Sequence, residues 1–432
     1  FRRGGDLLNR PPHEANVAEQ TEHSINGGGL KFDYFSPNEK HRFNVFASAQ
    51  HINRDSYYGG GQDPNAYGNT TDLNWMAGSQ YVYSFGKCIF MPADLTAGIE
   101  FNQDKLEDNM WGYHRTVDQK VNIGSAFFQN EWKNEHWGFL IGGRLDKHNL
   151  IDHVIFSPRA NLRYNPTENI NLRFSYSSGF RAPQAFDEDL HVKNVGGNVA
   201  MVELADNLKE ERSQSLSASA DIYHRFGAFQ VNFLVEGFYT KLSDVFALTD
   251  GEVVDGILTR TRYNAPGARV MGLTLEGKMA YLTKFQVQAG VTLQQSHYSE
   301  PHVWNKEAPA VKKMMRTPNT YGYFTATYTP IKPLSIALSG TYTGSMLVPH
   351  EPVPGFLEKP ITVNTKDFFD IGLKAAYDFK LYKSMNLQVN AGVQNIFNAY
   401  QNDFDKGADR DSGYIYGPSL PRSFFAGVKI SY

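Results

Sequence analysis

The chain has 432 residues, of which 41% are hydrophobic and 14% aromatic, and its formal net charge is −3 at pH 7. This balance of charge argues against nucleic-acid binding through a broad basic surface. The sequence has no apolar run of about 18 residues or more, which excludes a transmembrane helix, and its single cysteine, Cys88, cannot form an internal disulfide.

The chain begins with a polar segment and then changes to a regular pattern. Residues 1–26 are rich in charge, contain Pro11-Pro12 and show no alternation, so we interpret them as a loop. From residue 27 onward, apolar and polar residues alternate, as in Leu30, Phe32 and Tyr34. An alternation of period two predicts strands with one apolar and one polar face.

The clearest hairpin lies in the middle of the chain, at residues 154–177. Its first run ends at the turn Asn165-Pro166-Thr167-Glu168, and its second run alternates through Ile170, Leu172, Phe174 and Tyr176. A long irregular segment, residues 179–210, follows. The same sequence of strand, short turn, strand and long loop continues to Tyr432 and predicts about 17 strands, with uncertain boundaries.

The predicted fold class is all-β, an antiparallel transmembrane β-barrel, with residues 27–432 as the barrel domain. Lipid offers no partner to backbone N–H and C=O groups, so strands span a membrane only as a closed wall. The alternative is a soluble β-propeller or a stack of sandwiches. Short turns lie on the periplasmic side of such barrels and long loops outside, which makes residues 1–26 an extracellular loop segment. Single-chain bacterial barrels have even strand numbers, so an odd count predicts an incomplete wall.

Two sets of residues resemble a known family. The end of the chain carries Asn395-Ile396-Phe397-Asn398 and Leu420-Pro421-Arg422-Ser423-Phe424, and the central hairpin carries Ser157-Pro158-Arg159 and Phe180-Arg181-Ala182-Pro183. These residues are similar to the C-terminal part of TonB-dependent outer-membrane receptors. The resemblance implies strands 6 to 22 of a barrel of 22 strands around a plug, with the plug and the first five strands missing. It also implies active import across the bacterial outer membrane, with energy from the TonB complex acting through the missing plug.

The same resemblance suggests the cargo and the loop that contacts it. In haem receptors of the family, a Phe-Arg-Ala-Pro box precedes an Asn-Pro-Asn-Leu-like box, with a haem-ligating histidine between them. Here Phe180, Arg181, Ala182 and Pro183 match fully, Asn207 and Leu208 keep only part of the second box, and His191 lies between. A neutral imidazole can ligate haem iron, but a histidine held by hydrogen bonds in the loop is the alternative. Ferric siderophore or haem is favoured as cargo, with cobalamin as the alternative and a passive porin as a less favoured one.

The remaining candidates have weaker support. Acidic groups at Asp187, Glu188 and Asp189, and at Asp403, Asp405, Asp409 and Asp411, suggest calcium, although a solvated loop face explains the first and the second lacks the EF-hand spacing. Arg159, Arg163 and Arg173 on the polar face would meet plug carboxylates or line a wet lumen. We find no catalytic motif and expect no enzyme activity and no resident cofactor. The expected partners are outer-membrane lipid, the small-molecule cargo and a surface lipoprotein over the loops, for which the sequence gives no test; nucleic acid is not expected.

Overall fold

The computed structural model describes residues 1–191, 199–249, 251–254, 257–382, 384–407, 410–411 and 413–432. These residues form one sheet of 21 strands, a separate pair of short strands and three short 3₁₀ helices. The 3₁₀ helices are Pro12–Glu14, Trp111–Tyr113 and Asp187–Asp189. The strands are β1 (Arg2–Gly5), β2 (Val17–Phe35), β3 (His41–Gly60), β4 (Tyr67–Cys88), β5 (Met91–Met110), β6 (Arg115–Lys133), β7 (Trp137–His148), β8 (Ile155–Thr167), β9 (Ile170–Arg181), β10 (Val199–Leu204), β11 (Glu211–Phe226), β12 (Phe229–Leu248), β13 (Glu252–Val254), β14 (Ile257–Tyr281), β15 (Phe285–His302), β16 (Val311–Lys313), β17 (Thr320–Ile331), β18 (Leu334–Thr343), β19 (Leu347–His350), β20 (Ile361–Asn364), β21 (Phe368–Tyr382), β22 (Met385–Gln394) and β23 (Ser423–Ser431).

Seventeen of the described strands have nine residues or more and make up the wall of the fold. Each long strand pairs antiparallel with the next long strand along the chain, from β2 to β23. Short turns join them at one end, as at residues 168–169 and 227–228, and longer connections join them at the other. The predicted turn at Tyr382-Lys383 lies partly outside the described residues, because Lys383 is not described. The all-β antiparallel prediction is confirmed.

The period-two alternation separates the two faces of the wall. Leu162 and Phe174 face each other across β8 and β9, and both expose much of their side chains. Their neighbours in the sequence are polar residues, Asn161 and Ser175, which also pair and share a hydrogen bond of 2.6 Å. One face is therefore apolar and uncovered, and the other is polar and hydrogen-bonded, as a membrane wall with a wet interior requires.

Two predicted boundaries differ from the structure. Residues 17–26, expected in the loop segment 1–26, belong to β2, because they pair with β3 up to Gly60. The predicted strands at residues 257–265 and 273–281 form one strand, β14, although Pro266 lies between them. The register against β12 is the same on both sides of Pro266, since Ser243 faces Gly267 and Val245 faces Ala265. Gly267 permits this with a φ of +138°, where a Cβ would lie 2.5 Å from the Leu242 carbonyl oxygen.

The end strands of the sheet are β2, with the short β1 beside it, and β23. Within the described ranges, no hydrogen-bonded ladder joins β23 to either of them. None of the helices that the structure describes has the length and hydropathy needed to cross a membrane.

Buried apolar side chains gather at the long-loop end of the wall rather than between its strands. The larger cluster has Tyr57, Tyr58 and Met110 at its centre and includes Met201 from β10. A second cluster joins Met346, Val348 and Tyr414 from two later connections. The connections are therefore folded against the wall, and the one between β9 and β11 reaches strands at both sides of it.

Candidate functional site

The segment that the sequence assigns to cargo contact begins at the end of β9. Phe180 and Arg181 are the last residues of that strand, and Ala182 and Pro183 are buried where the chain leaves it. The backbone of Phe180 and Arg181 pairs with β11, where Arg181 lies opposite Glu211 and Phe180 opposite Arg212. We call residues 182–210 the mouth loop; of these, 192–198 lie outside the described residues. The first box thus fixes the point at which the mouth loop turns away from the wall.

The mouth loop carries an acidic 3₁₀ helix, Asp187–Asp189, which we call the acidic turn. The Phe186 N–H donates to Asp189 Oδ2 over 2.9 Å and closes this turn. Each of its three carboxylates meets a guanidinium group of the wall. Arg54 lies 2.8 Å from Asp187, and Arg262 lies 2.9 Å from Glu188 and 2.6 Å from Asp189. The side chains of Asp187 and Glu188 are more than half exposed, so the solvated face considered from the sequence describes these two residues in part, although arginines also hold all three carboxylates.

Those arginines come from distant parts of the wall. Arg54 is on β3 and Arg262 on β14, and the side chain of each is only 6% exposed. Arg115, at the start of β6, donates to the Asp189 carbonyl oxygen over 2.7 Å. The mouth loop therefore contacts strands on both sides of the β9–β11 pair from which it arises.

A carboxylate of the wall holds two of these arginines in place. Asp108 on β5 is 1% exposed and lies 3.0 Å from Arg115 and 3.8 Å from Arg54. Thr70 donates its hydroxyl to Asp108 over 2.5 Å and accepts from Arg54 Nε over 3.1 Å. Asp108 and Thr70 thus orient Arg54, and Asp108 orients Arg115, while both guanidinium groups keep N–H donors that contact the acidic turn.

Arg181, the charged residue of the first box, lies on the other side of the acidic turn. Its guanidinium stacks 3.9 Å from the centre of the Phe186 ring and lies 3.0 Å from Glu188. Phe246 of β12 forms a second aromatic surface at 5.6 Å. A planar guanidinium both stacks and pairs in this way, whereas a lysine ammonium would not.

The surroundings of the turn hold the Asp187 and Glu188 carboxylates in the ionised form. Burial favours the protonated form of Glu188, but Arg181 and Arg262 outweigh it and keep its pKa below the ordinary value. Burial acts in the same way on Asp187, whose pKa is lowered by His191 and Arg54. The turn is therefore negatively charged at neutral pH.

His191 closes the described part of the mouth loop. Its Nδ1 lies 2.6 Å from the hydroxyl of the buried Tyr58, and its Nε2 lies 3.3 Å from Asp187 Oδ2. Both ring nitrogens thus have hydrogen-bond partners within the protein. This arrangement favours the hydrogen-bonded histidine over the haem ligand, because ligation requires a free nitrogen.

The remnant of the second box lies at the end of the mouth loop. Asn207 is exposed, and the Leu208 N–H donates to the Ala205 carbonyl oxygen over 3.0 Å. The next residue, Lys209, is held through its N–H by Asn264 of β14. Both boxes therefore lie at the long-loop end of the β9–β11 pair, but no described contact joins Asn207 or Leu208 to the acidic turn.

The three arginines expected on the polar face are spread along β8 and β9. Arg163 and Arg173 face each other across the two strands. Arg163 donates to the Asn134 carbonyl oxygen over 3.0 Å, and Arg173 donates to Asn171 over 2.8 Å. Arg159 is exposed. None of the three pairs with a carboxylate among the described residues, so their role toward a plug stays a prediction.

The aspartates considered for calcium lie in the connection between β22 and β23, and Asp409 is outside the described residues. Asp405 Oδ2 lies 2.9 Å from Nε2 of the buried His350, and Asp403 accepts from the Tyr416 hydroxyl over 2.6 Å. Asp411 accepts from the Glu351 N–H over 2.9 Å. Across the described ranges, no group of three or more His, Cys, Asp or Glu side chains is arranged to hold a metal ion. The described aspartates serve to tie the loops together.

Sequence analysis did not identify Arg54, Arg115 or Arg262, the wall residues that define this site. Asp187 is 133 residues from Arg54, and Asp189 is 73 residues from Arg262. No motif spacing reaches over such separations. An arginine at the long-loop end of a polar strand face was the only available signal, and it is a weak one.

A family model described as the TonB dependent receptor-like beta-barrel matches residues 4–396. None of the curated proteins matches the chain.

Several solved structures share the fold. The siderophore receptor PirA from Acinetobacter baumannii is 15% identical with a TM-score of 0.70, over 97% of this chain and 63% of that one. A variant of the ferric enterobactin receptor PfeA from Pseudomonas aeruginosa is 16% identical with a TM-score of 0.68, over 96% and 62%. The ferric-catecholate import receptor Fiu from Escherichia coli K12 is 14% identical with a TM-score of 0.68, over 96% and 64%. The chain thus spans less than two thirds of the length of these structures, and such low identities show the fold alone.

Proposed function

The chain belongs to the TonB-dependent receptor β-barrel family of the bacterial outer membrane, and from this premise we propose that it imports an iron–siderophore complex with energy supplied through TonB. Family and structural neighbours are receptors and transporters rather than enzymes. The observation that carries the choice of cargo is the convergence of four arginines, Arg54, Arg115, Arg181 and Arg262, at the mouth.

Charge is the physical reason for this choice. Guanidinium groups bind anionic oxygens in a planar, often bidentate geometry. Iron chelates built from catecholates or carboxylates present such oxygens at their surface. Structures of the same fold include a receptor for ferric enterobactin and one for ferric citrate. A mouth lined by arginines suits such anionic chelates.

Growth under iron limitation tests the proposed import. A bacterium without its own siderophore receptors, expressing the full-length protein, is expected to grow on ferric siderophore only when its TonB is intact. The energy step requires TonB, so deletion of its gene should reduce uptake of radioactive iron to background. Parallel cultures with haem as iron source and with cobalamin as the limiting nutrient separate the three cargo classes.

Two results would contradict the proposal. Uptake that persists without TonB would indicate a passive pore. Growth with haem or cobalamin but with none of the siderophores would assign a different cargo.

Haem ligation by His191 has its own test, and we expect no contribution from this residue. Tyr58 and Asp187 occupy both nitrogens of the ring, so haem added to the purified protein should give the same absorbance spectrum in the wild type and in His191→Ala. His153→Ala, which changes another exposed histidine of the long-loop end, serves as the control. A histidine-ligated spectrum that appears in the wild type and disappears only in His191→Ala would restore the haem interpretation.

A further inference from the structure

The acidic turn is held as a bound anion would be held. Asp187, Glu188 and Asp189 present three carboxylates to the guanidinium groups of Arg54, Arg181 and Arg262, which come from three separate strands. Arg115, from a fourth strand, donates to the Asp189 backbone carbonyl oxygen. The contacts run from 2.6 to 3.0 Å, which is the range of charge-assisted hydrogen bonds. This part of the chain therefore fills an anion site that the wall itself provides.

The burial of the wall arginines shows that this site is built. Arg54 and Arg262 are each 6% exposed in their side chains. A cation so far from water is costly unless an anion stays with it. Asp108 supplies one negative charge from the wall, between Arg54 and Arg115. Without the acidic turn, the four guanidinium groups would carry four positive charges against the single negative charge of Asp108 in direct contact with them.

Two of the three carboxylates of the turn, in contrast, face the outside. The side chain of Asp187 is 76% exposed and that of Glu188 is 56% exposed. Water and dissolved anions can therefore reach these two carboxylates and compete with them for their arginines without prior unfolding.

Space beneath the turn is too small for a large chelate. A cavity of about 280 Å³ lies between the turn and the wall, lined by Arg54, Asp72, Asp104 and Asp187 among others. Ligand pockets usually have about 300–1,000 Å³. Asp72 and Asp104 add negative charge on the wall side of this cavity, so an anionic ligand is expected at the arginines, in the place of the turn.

We propose that the acidic turn is a tethered substitute for the cargo, and that a multiply anionic oxygen-donor chelate binds Arg54, Arg115, Arg181 and Arg262 by displacing it. This inference rests on the proposed function and adds the charge class of the cargo and the competitor that it must remove. The turn keeps the buried guanidinium groups balanced while the site is empty of cargo. The turn also selects for charge, because a neutral chelate would gain no ion pairs with the arginines in exchange for those that the turn loses.

The test neutralises the exposed part of the turn and leaves Asp189, which closes it, in place. Binding is measured by calorimetry on the purified full-length receptor, with iron(III) tris(catecholate), neutral iron(III) tris(hydroxamate) and iron-free tripolyphosphate as probes. In the double variant Asp187→Asn/Glu188→Gln, the two anionic probes should bind about tenfold tighter than in the wild type, because two competing carboxylates have lost their charge; tenfold corresponds to about 1.4 kcal/mol. The neutral probe should bind equally to both.

A matched double variant controls for the loss of charge alone. Glu203 and Asp206 are exposed carboxylates of the same mouth loop, with no ion pair to the four arginines among the described contacts. Glu203→Gln/Asp206→Asn should leave all three affinities unchanged. Hydrogen exchange of residues 184–191 adds a second measurement and should rise in the acidic-turn variant and in wild type saturated with tripolyphosphate.

The outcomes separate this inference from the proposed function. Equal affinity of wild type and acidic-turn variant for the anionic probes would overturn the inference, even if iron uptake depends on TonB. An equal gain for the neutral probe would also overturn it, because steric release would then explain the effect. A gain for tripolyphosphate without any uptake of iron chelate would support the anion site and remove the siderophore assignment.

Discussion

Replacing Arg262 with methionine is expected to cost about 3–5 kcal/mol of the free energy that docks the acidic turn, because the change leaves a buried carboxylate without its cation. Asp189 is 2% exposed and lies 2.6 Å from Arg262. Methionine fills much of the same space but offers no charge and no N–H donor. The Phe186 N–H remains as a partner of Asp189, but a neutral donor does not replace the charge of a guanidinium.

Hydrogen exchange can measure this loss because the wall gives an internal reference. In Arg262→Met, amides of residues 184–191 should lose protection while those of β11 and β12 keep it. The double variant Arg262→Met/Asp189→Asn removes both charges and should recover part of the protection, since no buried carboxylate has then lost its guanidinium partner. If the single and double variants exchange equally, the pair has no coupling and the turn is held by other contacts.

Replacing Ile141 with arginine is expected to lower the free energy of unfolding in lipid by about 2–4 kcal/mol, the cost of a cation on the lipid face near the bilayer midplane. The Ile141 side chain is 62% exposed on the apolar face and lies opposite Ala160. It is four residues above Trp137, which stacks on Tyr164 at 4.2 Å close to the short-turn end. At a tilt near 40°, four residues correspond to roughly 10 Å of depth, close to half of an apolar band about 25 Å tall.

Leu172 supplies the matched control on a nearby strand. It pairs with Tyr164 and therefore lies at the level of the aromatic residues, where an arginine costs only about 0–1 kcal/mol. Urea titrations of both variants in lipid vesicles, followed by tryptophan fluorescence, give the two free energies. Equal losses at Ile141 and Leu172 would mean that depth does not matter and would contradict a membrane-spanning wall.

The strands of the wall could be predicted from the sequence because each strand has its own local pattern of alternating apolar and polar residues. Alternation places Leu162 and Phe174 on one face and Asn161 and Ser175 on the other, and the structure pairs them accordingly. The predicted end of a strand between residues 265 and 273 was wrong, and the reason lies in the local backbone conformation. Proline usually ends a strand, but Gly267 adopts a backbone conformation that lets β14 continue in register.

The candidate site could not be predicted to the same extent. The box at Phe180 to Pro183 marked the start of the mouth loop, and His191 was placed in it by resemblance. The partners that determine its chemistry, Arg54 and Arg262, depend on which strands the loop crosses. That information lies in three-dimensional packing and has no local pattern in the chain.

The long sequence separations at the mouth also bear on the order of assembly. Asp187 meets Arg54 across 133 residues of chain, and Asp189 meets Arg262 across 73. Contacts between distant residues form only after the intervening chain has been organised, because closing long loops costs entropy before any contact rewards it. The hairpins should therefore form first, and the carboxylates of the acidic turn should pair with their arginines last. Protection of the residue 189 amide from hydrogen exchange would then indicate that the receptor has finished folding.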